Sequence, residues 1–295
     1  MALKTPLEYV DSLRRLKIRA YVGGEMVDNV VDHPLVAPHI NTVAKTYELA
    51  HDPEHRDVMT AISHLSGERI HRYTHIFQNP DDLVKKIQML RLLGQTTGTC
   101  FQRCVGLDAL NAAYAVSYEI DQAKGTDYHQ RFTKYLEYVQ REDLMLAGAM
   151  TDPKGHRAKK PSQQADPDQF VHVVEQRPDG VVIRGAKVHN TGGINSHEVL
   201  VLPGTGLAPG EEEFAIACAV PADAEGVLFV FGRRHRSPLQ VRGLAGPGQF
   251  RGGRAHPNRG RSHQHRARLH ERRGRALRDT GELLRHVAPS ELRRL

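Results

Sequence analysis

Phe170-Val-His-Val-Val-Glu-Gln176 and Val181-Val-Ile-Arg-Gly-Ala-Lys-Val188 flank Pro178-Asp179-Gly180. Both runs are rich in β-branched residues. The Pro-Asp-Gly break supplies the turn chemistry that joins two antiparallel strands. The pair reads as a hairpin, and it divides the chain. Downstream, Glu198–Leu202, Phe214–Val220 and Val227–Phe231 are further strand-like runs, so residues 148–232 are expected to form a small antiparallel β domain.

Upstream of Gly148 the apolar period is helical. A first helix is predicted from Pro6 to about Arg15, followed by a short extended pair around Gly23-Gly24 and a second helix from Ile40 to Leu49. Asn79-Pro80-Asp81-Asp82 is a helix start, with acids in the first turn and Leu83, Ile87 and Leu90 at helical spacing. The next helix begins just before or within Cys100–Cys104 and runs to about Ala123, with Leu107, Leu110 and Tyr114 on one stripe. Gly125 ends it, and Thr126 or Asp127 caps another whose face carries Phe132, Tyr135, Leu136, Val139 and Leu146. Residues 1–147 are therefore expected to be a helical domain.

The net charge of +7 averages two different polymers. From Arg233 onward there are 17 Arg, no Lys and four acids, or +13, which leaves −6 for residues 1–232. Phe250 is the one aromatic residue of that basic stretch and its charges follow no period. Residues 233–295 are thus expected to be a disordered basic tail. No apolar run reaches the length of a membrane span, and the start has no signal-peptide core. Three cysteines are too few for a disulfide framework. The expectation is a soluble cytoplasmic protein with no membrane partner.

Three segments carry possible chemistry. In Cys100-Phe-Gln-Arg-Cys104, i and i+4 thiols on one helix would share a face and meet one metal centre, with Arg103 favouring the thiolate. Two thiolates are half of a structural zinc or iron–sulfur site, and on the pattern alone two small half-buried thiols on an amphipathic helix are the favoured reading. Thr151-Asp-Pro-Lys-Gly-His-Arg157 offers Gly155 for close backbone approach and Thr151, Lys154 and Arg157 as donors to a phosphate or flavin edge; it also reads as a solvated basic turn. His189-Asn-Thr-Gly-Gly193 ends a strand, where it can meet the polar edge of a planar ring or simply turn the chain. His197 and Glu198 have no spacing that specifies a role, and Cys218 reads as core.

Taken together, Cys100-Phe-Gln-Arg-Cys104-Val-Gly-Leu-Asp-Ala-Leu-Asn-Ala-Ala-Tyr114, Gly125-Thr-Asp-Tyr-His129, Ala149-Met-Thr-Asp-Pro-Lys-Gly155, Gln164-Ala-Asp-Pro-Asp168 and Arg184-Gly-Ala-Lys187 resemble, in order and spacing, the 4-hydroxybutyryl-CoA dehydratase/vinylacetyl-CoA delta-isomerase family over about residues 1–232. That family sits within a wider group of flavoproteins. The group's 4-hydroxyphenylacetate 3-hydroxylases share the fold but not the cysteine pair, so Cys100 and Cys104 draw the resemblance toward the dehydratases.

The resemblance implies an α+β, acyl-CoA dehydrogenase-like fold, helical domain first and β domain second, with FAD and a 4Fe-4S cluster. Cys100 and Cys104 would be two of the four cluster ligands. Met150, Thr151, Asp152, Pro153, Lys154, Gly155, His156 and Arg157, with His189, Asn190, Thr191 and Gly192, would line the flavin. Gln102 and Thr191 would face an acyl-CoA substrate, and the enzyme would be a homo-oligomer, a tetramer in the family. The departures concern the tail. The family's C-terminal helical bundle, with its further His and Cys ligands, is expected to be missing, replaced by a stretch whose composition points to an out-of-frame reading. The chain as written is then expected to be inactive. A related flavin-dependent aromatic monooxygenase is the alternative enzyme reading. A non-catalytic protein whose Arg-rich tail binds nucleic acid is the alternative outside enzymes; with almost no aromatics for base stacking, such binding would be unspecific and salt-sensitive.

Overall fold

A computed structural model describes residues 3–177 and 180–231, together with the backbone of Arg266–Leu269. Its first helix, α1 (Pro6–Arg14), starts where a capping box can form. The Thr5 hydroxyl accepts from the Glu8 N–H, and the Glu8 carboxylate accepts from the Thr5 N–H. Strands β1 (Ala20–Val22) and β2 (Glu25–Val27) form the extended pair expected around Gly23-Gly24, both of which have positive φ. Then follow α2 (Ala37–His51), the single turn α3 (Arg56–Met59), and the β3–β4 ribbon (Thr60–Ile62, Arg69–His71). Helix α4 (Pro80–Thr97) is capped by the Asn79 side chain, as its sequence predicts.

Helix α5 (Cys104–Lys124) ends at Gly125 in the left-handed region. Its successor α6 (Tyr128–Arg141) has Asp127 at the N-cap position, yet neither Thr126 nor Asp127 caps it. Asp121, still within α5, accepts the Tyr128 and His129 N–H groups instead. Phe132, Tyr135, Leu136 and Val139 form its buried stripe. Leu146 does not continue that stripe. Asp143 takes φ 44°, which reverses the chain, and Leu146 opens the buried strand β5 (Leu146–Ala149).

The hairpin is present as β6 (His172–Arg177) and β7 (Gly180–Val188), paired antiparallel. Strands β8 (Glu198–Val201), β9 (Cys218–Pro221) and β10 (Val227–Phe231) follow. The run predicted as a strand from Phe214 starts later. Glu212–Phe214 is one 3-10 turn, and Phe214 and Ala215 bury themselves against Leu207 before β9 begins.

Two sheets share these strands. One runs β5-β8-β9; the other has the order β2-β1-β10-β11-β7-β6, where β11 is Arg266–Leu269. The sheets are mixed rather than antiparallel throughout: β1 pairs parallel with β10, and β5 parallel with β8. The helical and β halves are accordingly interleaved, since β1 and β2 join the larger sheet. The fold is α+β. The expectation of a disordered tail over 233–295 lies outside the described residues, apart from the four of β11.

Three larger packed clusters result among the described residues, beside the small one around Leu207. Tyr9, Leu13, Ile40, Val43 and Tyr47 pack on the larger sheet, α5 and α6 pack on β5 and β8, and Met59, Met89, Leu93 and Leu107 join α2, α4 and α5. His197 is buried at the first of these. The Met145 N–H donates to its Nδ1 (3.0 Å), so Nε2 carries the proton and donates to Ser12 Oγ (2.8 Å). Burial, with the Lys4 and Arg103 charges adding to it, pulls its pKa from 6.5 down to about 3. A histidine whose folded pKa is depressed contributes stability that is intact above about 6.5 and is lost as pH falls. About 2 kcal/mol should go between pH 7 and pH 5. His197→Asn keeps an acceptor for Met145 but cannot titrate, so urea unfolding of that variant should lose this pH slope. An unchanged slope would remove His197 from the account.

Candidate cofactor cleft and cysteine turn

Cys100 and Cys104 meet, but not on one helical face. Cys104 is the first residue of α5, while Cys100 lies in the loop before it, and Gln102 between them has φ 65°. The left-handed residue folds the loop back and brings the two thiols close enough to influence each other, with Cys100 exposed and Cys104 half-buried. The neighbouring Cys104 thiol and a backbone N–H from Gln102 outweigh burial and lower the Cys100 pKa, while Cys104 is pushed up. Cys100 is thus the thiol of the pair that ionises first.

Arg103 does not stabilise that thiolate, contrary to the reading from sequence. Its side chain turns inward, 2 % exposed, with the guanidinium 4.5 Å from the ring centres of both Tyr47 and Tyr73. Nη1 donates to Thr46 Oγ1 at 2.9 Å. The turn is thus anchored from beneath by a buried cation.

Gln102 is 7 % exposed, and its Nε2 donates to His39 Nδ1 at 2.6 Å. Its Oε1 has no hydrogen-bond partner among the described residues. The turn His189–Gly192 rests on it. A Cβ on Gly192, which has φ 88°, would lie 2.9 Å from the Gln102 carbonyl oxygen and 3.0 Å from Met145 Cε. His189 has φ 59° and is exposed, as is Thr191, whose N–H donates to the His189 carbonyl. Asn190 is buried, and neither polar atom of its side chain has a partner among the described residues.

The loop after β5 builds a cleft of about 320 Å³. All eight residues Met150–Arg157 line it, joined by Lys159, Gln164 and Phe170 and closed by Gly204 and Thr205. His189, Asn190, Thr191 and Gly192 are not in its lining; Asn190 instead borders a small apolar cavity with Val199, Val201 and Phe229. The two segments expected at one flavin are therefore brought to neighbouring places, linked by the Val188 N–H donating to the Thr151 carbonyl at 2.9 Å. Lys154, Arg157 and Lys159 give the cleft its positive field, and among the described residues Asp152 is its one carboxylate.

Asp152 faces Lys187 of β7. Nζ lies 2.5 Å from Asp152 Oδ1 and also donates to the Leu202 (2.8 Å) and Met150 (3.2 Å) carbonyls. Burial lowers the Lys187 pKa and raises that of Asp152, while each charge counteracts the shift of the other. Lys187, His39 and the inward Arg103 escape sequence reasoning, because their partners are 35, 63 and 57 positions away in the chain. Lys187 does fall in the quoted Arg184-Gly-Ala-Lys187 motif, which is the one signal that pointed to it.

Among the described residues no three His, Cys, Asp or Glu side chains gather to hold a metal ion. No described helix is long and apolar enough to cross a membrane.

Comparison with known proteins places these features. The chain is 52 % identical over 232 residues to the 4-hydroxybutyryl-CoA dehydratase/vinylacetyl-CoA-Delta-isomerase of Clostridium aminobutyricum, covering 79 % of this chain and 47 % of that protein. A solved oxygen-tolerant archaeal 4-hydroxybutyryl-CoA dehydratase from N. maritimus superposes with a TM-score of 0.81 at 39 % identity, over 95 % of this chain and 54 % of that one. The oxygenase component of 4-hydroxyphenylacetate 3-monooxygenase, solved with FAD, superposes with a TM-score of 0.73 at 26 % identity, over 95 % and 55 %. The chain thus spans about half the length of the relatives it matches. Residues 5–251 match the family model of the 4-hydroxyphenylacetate 3-hydroxylase N-terminal region, and the chain belongs to that family.

Proposed function

We propose that this chain carries the flavin cleft and the cysteine turn of a 4-hydroxybutyryl-CoA dehydratase, which interconverts 4-hydroxybutyryl-CoA and crotonyl-CoA and isomerises vinylacetyl-CoA. The observation that carries the reading is the neighbouring thiols Cys100 and Cys104 on either side of a buried, left-handed Gln102. An aromatic monooxygenase of the same family has no use for two thiols there. The 52 % identity to a dehydratase supports the same choice.

The cleft suits FAD. Its cations match a pyrophosphate, and the Asp152 carboxylate is already neutralised by Lys187. Met150–Arg157 would hold the cofactor, with His189–Gly192 at its far edge. When bound, a flavin supplies the redox chemistry that eases removal of an unactivated C3 proton. Gln102 would orient the acyl group through its unpartnered Oε1, and the Thr191 hydroxyl would act from the opposite side. Cys100 and Cys104 would be two ligands of a 4Fe-4S cluster. The described residues alone do not complete that site. A cytoplasmic homotetramer is the assembly that the resemblance implies.

Titration of the purified chain with FAD tests the cleft. Saturable quenching of flavin fluorescence is expected, weakened about tenfold in Lys154→Ala/Arg157→Ala. The reaction class is separated by two assays: crotonyl-CoA formation without oxygen, and oxygen-dependent hydroxylation of 4-hydroxyphenylacetate with reduced flavin. Hydroxylated product would move the assignment to the monooxygenases.

A further inference from the structure

The Asp152–Lys187 pair has a placement that the reading above does not use. Asp152 belongs to the cleft rim, whereas Lys187 approaches it from inside, on β7, where it also borders the small apolar cavity formed by Ala149, Val199, Val201, Val220, Val227 and Phe229. Its side chain is 5 % exposed and that of Asp152 is 10 % exposed. All three ammonium protons are used, on Asp152 Oδ1 and on the Met150 and Leu202 carbonyls, so one buried cation ties the end of β5 to the end of β8. The rim is tight at this point. A Cβ on Gly204 would stand 2.3 Å from the Met150 carbonyl oxygen and 2.8 Å from Asp152 Oδ2. The next residue of β7, Val188, donates its N–H to the Thr151 carbonyl, which pins the loop one residue further along.

We propose that Lys187 is a positioning residue for the cleft: it cancels the charge of the one carboxylate in the lining and holds Met150–Asp152 in the shape an anionic ligand meets. The ligand class rests on the flavin reading; the clamp does not. Without Lys187, Asp152 becomes an uncompensated anion in a low-dielectric wall, which repels a phosphate and draws water or the loop outward. Removing both charges leaves a neutral amide against an apolar side chain in place of the pair, and the rim recovers.

Three variants test this: Lys187→Met, Asp152→Asn and the double variant. Lys154, Arg157 and Lys159 are exposed on the loop, so trypsin reports its opening without any ligand. Cleavage there should be about tenfold faster in Lys187→Met and should return to near the wild-type rate in the double variant. Lys187→Met cut no faster than wild type, or the double variant cut as fast as Lys187→Met, overturns the proposal. If Lys187→Met does not fold, a double variant that does fold supports the coupling, and one that also fails removes it. The second readout is FAD affinity, expected about tenfold weaker in Lys187→Met and largely restored when Asp152 is neutralised too. Lost hydrogen bonds alone would leave the double variant as weak as the single one. If FAD does not bind the wild-type chain, the flavin reading falls while proteolysis still decides the clamp.

Discussion

Arg103→Ala is expected to destabilise the protein by about 3–4 kcal/mol, as truncating a large, fully buried side chain does. The side chain is 2 % exposed and fills the space between Tyr47 and Tyr73. Its removal forfeits two desolvated cation–π contacts and leaves a cavity between the rings. It also strips a compensating charge from Asp143. That carboxyl is held above its ordinary pKa by burial, and Arg103 opposes the shift. For a body of this size the melting temperature should fall by roughly 10 °C. Arg103→Lys keeps the charge but not the flat guanidinium that stacks on both rings, so it should recover only part of the loss. The consequence reaches the site, because Arg103 directly precedes Cys104. A trivalent arsenical, which bridges two thiols only when they are adjacent, should bind the wild-type chain and not Arg103→Ala at a temperature where the variant is still folded. A melting temperature within about 2 °C of wild type would show that the sandwich is incidental.

What the sequence disclosed follows the range of the forces involved. Asn79 before its acids and Gly125 after its helix act within one turn, and each marks a helix end where it was expected. The hairpin was equally legible, since its turn and its two strands are contiguous. The parallel pairing of β1 with β10 was not. Ala20 and Phe229 are joined by a sheet edge, and no local period encodes which edge a short strand will choose. Leu146 was misread for a related reason: it is in phase with the α6 stripe, and only the positive φ of Asp143 takes it out of the helix.

The site divides in the same way. Met150–Arg157 is a single loop, so its glycine and cations could be read together, and all eight residues line one cleft. The cysteine pair was found by spacing but for a reason the structure changes. A left-handed Gln102, not a helical repeat, brings the sulfurs together. Asp121 capping α6 from within α5 shows how easily a nearby polar residue takes the role assigned to the obvious candidate.

Gly106→Val should cost about 3 kcal/mol, the upper part of the overpacking range, and should disturb the cleft although Gly106 lines no part of it. Helix α5 lies on β5 at backbone distance. A Cβ at Gly106 would stand 2.6 Å from the Leu146 carbonyl oxygen and 3.0 Å from its Cβ, and the first of these is backbone that cannot rotate away. The fit is reciprocal, because the side chain of Val105 occupies the space a Cβ on Gly148 would need, at 2.1 Å. These two glycines set how closely the cysteine turn, at the start of α5, approaches the cleft loop, which leaves the end of β5 at Met150. Widening the gap moves Cys104 relative to Met150, so flavin affinity should fall together with stability. Gly94, inside α4, is the control: a Cβ there meets nothing within 4 Å. Gly94→Ala should therefore stabilise by about 0.5–1 kcal/mol, through helix propensity alone, and leave the cleft untouched. Thermal melts and FAD titrations of Gly106→Ala, Gly106→Val and Gly94→Ala measure both effects. The helix–strand contact is refuted as the spacer between turn and cleft if Gly106→Val binds FAD like wild type while losing its expected stability. It is refuted as a tight contact if the Gly106 variants melt like Gly94→Ala.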